Sequence, residues 1–429
     1  MADSPPALSR FRSTTRALRH RNYRLFFFGQ LISLIGSWMQ TVAQSWLVYR
    51  LTGSSALLGS VNFAGQIPIF LLSPLGGVVA DRHSRHRIVI ATQTASMILA
   101  GILAALTLYG SVQVWQIFVL SSLLGIVNAF DIPARQAFLV EMTSREDLIN
   151  AIALNSSAFN GARIAGPAVA GILVSLVGEG WCFFVNSASY IAVIAGLLMM
   201  RVPPRKQLPI EASALRHVIV GLQFVADKAP IRALLLLVGL ASLAGMPYSV
   251  LMPVFADQIL HAGAQGLGIL MGVSGVGALA GALLLASRQT VRGLGRWVAM
   301  SAGLFSATLI LFAYSRYFWL TAALLVPIGF CAMIQMGSSN TLIQAMTPDH
   351  LRGRILAAYS MMLMGMAPIG ALLSGVLAEH IGAPAAVAGG AVACGIGGAA
   401  FAFYLPGLRE EARELILAQS AAIPPEASH

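Results

Sequence analysis

The sequence predicts an all-α membrane protein with twelve transmembrane helices in two pseudo-symmetric six-helix bundles. Three observations lead there. Of 429 residues, 57% are hydrophobic and 10% charged, with a mean hydropathy of +0.78. A water-soluble domain has about 25% charged residues, so this chain has too little polar surface to face water, and lipid is its solvent. Apolar runs long enough to cross a bilayer, about 20 residues, recur over 24–50, 55–79, 88–109, 113–134, 148–177, 181–201, 231–256, 266–287, 296–314, 317–344, 354–380 and 384–405. The basic residues then sort to one face. With successive loops on alternate sides, one side collects the N-terminal arginines, Arg82, Arg85, Arg87, Arg135, Arg145, Arg201, Arg205, Lys206, Arg216, Lys228, Arg232, Arg288, Arg292, Arg296, Arg352, Arg354, Arg409 and Arg413, and the other holds Arg50 and Arg316. A miscounted span would scramble this asymmetry. The positive-inside rule makes the arginine-rich face cytoplasmic and puts both termini there.

Each segment follows in order. Residues 1–22 form a basic cytoplasmic tail rather than a cleavable signal, because the apolar run behind it is far longer than a signal core. Residues 23–202 form the N-terminal bundle. Residues 203–230 form a cytoplasmic linker: Pro203, Pro204 and Pro209 interrupt it, and 212–226 reads as an amphipathic surface helix. Residues 231–405 form the C-terminal bundle, and 406–429 a cytoplasmic tail whose "LREEARELILAQS" suits a short surface helix. Spans are rich in glycine, which lets membrane helices approach closely. A weak internal repeat at an offset of 204 lays Met142, Thr143, Gly171 and Gly178 on Met346, Thr347, Gly375 and Gly382. Parallel repeats of this kind occur in transporters with a substrate site between the halves.

Several classes fall away. The net charge of +11 sits in short loops between apolar runs and does not mark a nucleic-acid partner. Cys182, Cys331 and Cys394 are odd in number and far apart, giving no disulfide framework and no metal spacing. No Gly-x-x-x-x-Gly-Lys loop, His-Glu-x-x-His run or clustered Ser/His/Asp set is present. The expectation is therefore no enzyme, no cofactor and no metal, with energy drawn from a gradient or a partner.

Charge concentrates in "GGVVADRHSRHRIVI" after the second span, and "NAFDIPARQAF" adds Asp131 and Arg135 near the same end of the fourth. Opposite charges at the water boundary can hold one arrangement of helices, a latch of about 1–3 kcal/mol that biases a two-state equilibrium without freezing it. The spacing Gly77-x-x-x-Asp81-Arg82-x-x-Arg85-x-Arg87 resembles the loop signature of the major facilitator superfamily, with Val79, Ser84 and His86 at positions where other residues are usual. The fifth span, "ARIAGPAVAG", resembles that superfamily's antiport element through Gly166, Pro167 and Gly171, with Ala162 and Ala170 replacing two glycines. Physically, Pro167 removes a backbone hydrogen bond among small neighbours, so the helix can pivot there. The likeness covers nearly the whole chain and is greatest to the branch of enterobactin-type siderophore exporters, macrolide exporters and drug–proton antiporters. It implies the major facilitator fold. It also implies a monomeric secondary transporter of the bacterial inner membrane, working by alternating access, that exports a small amphipathic substrate, drug or siderophore, against protons. A lysophospholipid flippase or an uncoupled facilitator is the alternative. The resemblance further implies that Asp131 faces the loop arginines, Arg85 in particular.

Candidate pathway residues come from polar groups within spans. Ser33, Ser37, Gln40 and Gln44 recur at helical spacing on one face, as cavity lining or as polar ties between helices. Asn160 and Arg163 share a face, and an arginine at the bilayer centre costs roughly 2.5–3.5 kcal/mol, which favours a role for it. Gln335 and Ser338 in the tenth span and Tyr248 in the seventh complete the set. No carboxylate falls deep in a span in this reading: Asp131 and Asp257 lie near helix ends, and Asp257 is the candidate for proton coupling.

Overall fold

A computed structural model describes residues 16–144, 146–201, 224–288 and 290–421. Twelve helices are long and apolar enough to span a membrane, and no strand occurs among the described residues. We number them α1 (Arg21–Thr52), α2 (Ser55–Arg82), α3 (Arg85–Leu108), α4 (Val114–Glu141), α5 (Leu148–Val177), α6 (Glu179–Leu198), α7 (Ala229–Ile259), α8 (Gly263–Ala286), α9 (Leu294–Tyr314), α10 (Phe318–Met346), α11 (Leu351–Ile381) and α12 (Ala383–Ala421). The twelve-span reading is correct.

The repeat is visible in the caps. Gly178 ends α5 at φ 87° and Gly382 ends α11 at φ 85°, a left-handed region that glycine enters without a Cβ penalty. These are the two glycines related by the offset of 204.

The ends differ from the sequence reading in one respect. The last helix does not stop near 405 but continues through Pro406 to Ala421. Leu408, Ala412, Leu415 and Ile416 lie along one side and pack on the cluster of Ile231, Leu234, Val298 and Ile343. Burial of that apolar side carries the helix past the proline. Most of the amphipathic segment at 212–226 lies outside the described residues. Its last part is helical at 224–227, and Phe224 and Val225 pack on the same cluster.

Contacts divide the chain into two units. The first comprises Met1–Gly53, Val61–Pro209 and His261–Gly272, the second Ser54–Ser60, Ile210–Leu260 and Val273–His429. In the first, Tyr23, Phe26, Val89, Phe138 and Leu197 form an apolar cluster. Its α2 and α4 cross at backbone contact: a Cβ on Gly76 would lie 2.1 Å from the Ala129 carbonyl oxygen, and one on Gly125 would lie 2.3 Å from that of Gly65. In the second, α8 and α10 cross the same way, with 2.0 Å from Gly277 to the Val326 oxygen and 2.1 Å from Gly329 to that of Ser274. Gly125 and Gly329 are again 204 residues apart, so the repeat fixes packing as well as caps.

The second unit also contains broken helix. α7 widens to a π turn at Ala241–Gly245, ahead of Pro247, and α11 does so at Met361–Gly365, ahead of Pro368. A proline cannot donate to the carbonyl four residues back, and the wider turn accommodates its ring. The Ser242 hydroxyl donates to the Leu363 carbonyl, so the two widened turns bond to each other.

Candidate functional site

In the first unit the loop signature centres on Arg85. Its guanidinium is mostly buried and donates to the carbonyl oxygens of Ala80 (3.3 Å) and Ala137 (3.1 Å) and to the carboxylates of Asp81 (3.1 Å) and Glu141 (3.1 Å). One side chain thus joins the end of α2, the start of α3 and the end of α4. Asp81 is half exposed, so most of the hold comes from Glu141 and the two carbonyls. Glu141 was not singled out from sequence. His86, which stands where the superfamily usually has a base, brings its Nε2 within 2.8 Å of the Leu197 carbonyl oxygen and ties α3 to α6. Arg87 is exposed and makes no ion pair among the described residues, and Arg82 is likewise exposed. At the tight crossing the close glycine is Gly76. A Cβ on Gly77 would meet nothing within 4 Å.

Asp131 requires two corrections. It does not face Arg85: its Oδ2 accepts from Arg135 Nε (2.9 Å), one helical turn on, while Oδ1 accepts from Thr92 Oγ1 (2.8 Å) and Gln93 Nε2 (3.0 Å) of α3. The spacing of four along α4 brings Arg135 onto the same face, where it outcompetes a guanidinium from the loop. Nor is Asp131 near the end of its helix. It is 3% exposed and ten residues short of Glu141, about 15 Å along the axis. A buried carboxylate therefore does lie within a span, and Gln93 Oε1 beside it is buried with no hydrogen-bond partner among the described residues.

The polar residues of α1 tie helices together. Ser33 and Gln40 are buried. The Ser37 hydroxyl donates to the Ser33 carbonyl and lies 3.3 Å from the Tyr190 hydroxyl. Gln40 Oε1 accepts from Asn186 Nδ2 at 2.6 Å, and Gln44 Nε2 donates to Ser121 Oγ at 2.8 Å. Ser37 and Gln40 thus engage α6, and Gln44 engages α4. In α5, Pro167 is buried within a continuous helix, and a Cβ on Gly166 would meet Trp38 Cβ at 2.4 Å. Gly171 packs within 3.1 Å, on the same basis, of Gly268 in the part of α8 that belongs to this unit. Asn160 donates to the Ser156 carbonyl. Arg163 is half-buried; its guanidinium lies 6.0 Å from the centroid of the Trp38 ring, and Trp38 meets Phe159 edge to face. No carboxylate lies within ion-pair distance of Arg163 among the described residues.

The N-terminal segment also docks in this unit. A short 3-10 turn, Arg16–Arg19, sets Arg16, Arg19 and His20 around Asp147, whose side chain is 1% exposed. Arg19 approaches Oδ2 at 2.7 Å, His20 Nε2 at 2.8 Å, and Arg16 Nε lies 3.0 Å from Oδ1. Asn150 Oδ1 accepts from the Ala17 N–H. The hydrogen bond from His20, then the charges of Arg19 and Arg16, hold the Asp147 carboxyl below its ordinary value. A carboxylate with a lowered pKa stabilises the docked segment above its ordinary range, about 3.9, and loses that effect as pH falls through the lowered value. Pepsin cleavage of the segment is accordingly expected to begin only below about pH 3.9. At neutral pH, Asp147→Asn should let trypsin cut after Arg16 and Arg19 roughly tenfold faster.

In the second unit, Tyr248 is buried, with its hydroxyl 3.0 Å from Ser274 Oγ and its ring edge-on to Phe312. Gln335 and Ser338 are buried in α10, and the hydroxyls of Ser338 and Ser339 have no hydrogen-bond partner among the described residues. Asp257 is exposed at the end of α7.

This architecture has known counterparts. The sequence profile of a family described as transmembrane secretion effector, of the major facilitator type, matches residues 12–425. A staphyloferrin A transporter of Staphylococcus aureus is 24% identical over 84% of this chain and 90% of its own length. The multidrug efflux pump Tap of Mycolicibacterium fortuitum is 26% identical over 83% and 89%. The crystal structure of the nucleoside transporter NupG superposes with a TM-score of 0.68 at 18% identity, covering 90% of this chain and 99% of that one. With twelve spans, the loop signature and a profile match along nearly its whole length, this chain is a membrane transporter, not an enzyme, and belongs to the transmembrane secretion effector family of the major facilitator superfamily.

Proposed function

We propose that this chain is a proton-coupled exporter of a small amphipathic compound, a drug or a siderophore, acting as a monomer in a bacterial inner membrane with both termini cytoplasmic. The relatives that transport staphyloferrin A and drugs support the substrate class, and the arginine asymmetry supports the orientation. The observation that carries coupling is Asp131, a carboxylate buried within α4 and held by Arg135, Thr92 and Gln93. A proton on Asp131 neutralises it and frees Arg135, which changes the contact between α3 and α4. Asp257 is exposed and faces no such network, so Asp131 is the better candidate. Arg163, whose guanidinium lies over the Trp38 ring and makes no ion pair among the described residues, supplies a counter-charge for an anionic group of the substrate. The domains would work as the bundles 23–202 and 231–405 rocking about a shared path, with Arg85 and Glu141 in the latch and Pro167 as a pivot in α5.

The test is efflux of a substrate panel from vesicles under an imposed pH gradient. Arg163→Ala should raise the KM of anionic substrates about tenfold and leave neutral ones within about twofold. Equal effects on both classes would remove Arg163 from recognition.

A further inference from the structure

The second unit holds a cavity lined by none of the residues assigned above to transport. It lies where the ends of α7, α9 and α10 meet α12 as that helix continues past Pro406, and it encloses about 690 Å³. That volume falls in the range of small-molecule sites, about 300–1,000 Å³. The lining is apolar inside, with Leu234, Leu342, Met346 and Phe401 continuous with the core of the unit. Its polar members are Arg292, Arg409 and Arg413, with Glu410. None of the three guanidiniums makes a hydrogen bond or an ion pair among the described residues.

The arginines are placed by the chain. Arg409 and Arg413 are one turn apart on α12 and share a face. Arg292 stands in the turn before α9, where Gly293 takes φ 80° and Arg288 Nη2 donates to the Arg292 carbonyl at 2.9 Å. The Arg288 guanidinium is itself fixed over the Trp297 ring, 4.4 Å from its centroid. Three positive groups against one carboxylate leave an excess of two positive charges over an apolar interior, at the level where spans end.

We propose that this cavity binds an anionic phospholipid, with phosphate on Arg292, Arg409 and Arg413 and an acyl chain against Leu342 and Phe401. Guanidinium pairs with phosphate oxygens through two parallel hydrogen bonds, and basic pockets between transmembrane helices recognise anionic headgroups. The apolar interior favours a lipid over a free anion. A zwitterionic lipid brings its own cation and gains less from the charge excess.

The test uses the purified full-length protein in neutral detergent, with no gradient and no transport substrate, so its outcome is independent of the proposed transport. Phosphatidylglycerol is titrated, and binding is read by native mass spectrometry and thermal melting. The expected result is one retained phosphatidylglycerol with a rise in Tm, neither of which phosphatidylcholine or inorganic phosphate reproduces. R409Q/R413Q should weaken binding at least tenfold. Leu342→Trp, which fills the interior and keeps every arginine, should weaken it comparably, and Arg316→Gln should not change it. Wild-type affinity in both the double variant and Leu342→Trp would overturn the proposal. So would equal binding of phosphatidylcholine, which marks ordinary boundary lipid, or stabilisation by inorganic phosphate alone, which marks a free-anion site. Failure of the wild type to retain phosphatidylglycerol would overturn it as well.

Discussion

Asp131→Ala is expected to destabilise the first unit by about 3 kcal/mol, the lower end of the range for breaking a buried ion pair, because Arg135 keeps some contact with its surroundings. The substitution leaves Arg135 Nε and Gln93 Nε2 without their acceptor in a span, while the Thr92 hydroxyl can turn to the Ile88 or Val89 carbonyl oxygen, each 3.0 Å away. Asp131→Asn keeps an acceptor and the shape but cannot take up and release a proton. It should recover much of the stability while abolishing coupling. Melting of both variants beside gradient-driven efflux separates the two effects. If Asp131→Asn transports like wild type, Asp131 is structural and the proton moves elsewhere.

Gly329→Val and Gly125→Val should cost about 2–3 kcal/mol each, toward the upper end for overpacking. In each case the first added carbon meets a backbone oxygen, of Ser274 at 2.1 Å and of Gly65 at 2.3 Å, which no rotamer change relieves. The two helices must separate instead. The two sites lie in different units, so the double variant should lose about the sum. The buried thiols Cys182, Cys331 and Cys394 report this without an engineered cysteine, because a thiol-reactive dye labels them as the helices part. A Tm decrease of roughly 5 °C or more is expected for each substitution. Gly303→Ala, where the added carbon meets nothing within 4 Å, should melt like wild type.

The fold was legible because lipid imposes a simple rule. Each span must satisfy its own backbone, so length and hydropathy mark it, and the arginines then fix the count. The offset of 204 was legible as a few matched letters, and the paired caps at Gly178 and Gly382 and the paired crossings at Gly125 and Gly329 give it physical content. The charged sites were legible by residue but not by partner. Arg85, Asp131 and Arg135 stood out in the sequence. The choice of Arg85 for Asp131 ignored the closer competitor at i+4.

Antiparallel neighbours joined by a short turn pair at equal distances from it. Thr92 and Asp131 lie 19 and 20 residues from Ser111 in the turn between α3 and α4, so Thr92 and Gln93 could have been assigned to Asp131. The same reasoning places Asp131 well inside its span, because Val114–Glu141 continues past the apolar run that ended at 134. The contacts of Gln40 with Asn186 and of Arg163 with Trp38 join helices far apart in sequence, and no local pattern encodes them. Nor does composition show that the tail after Pro406 remains helical, since that depends on the surface against which Leu408 and Ile416 pack.

We propose that a proton gradient drives this transporter through Asp131. Purified protein in sealed liposomes, given a fluorescent amphipathic substrate and an imposed pH difference, tests it most directly. The expected result is accumulation of the substrate against its gradient, proton movement in the opposite sense, and loss of both on collapsing the pH difference or in Asp131→Asn. Transport that continues undiminished once the pH difference is gone would contradict it and identify a facilitator or a lipid flippase.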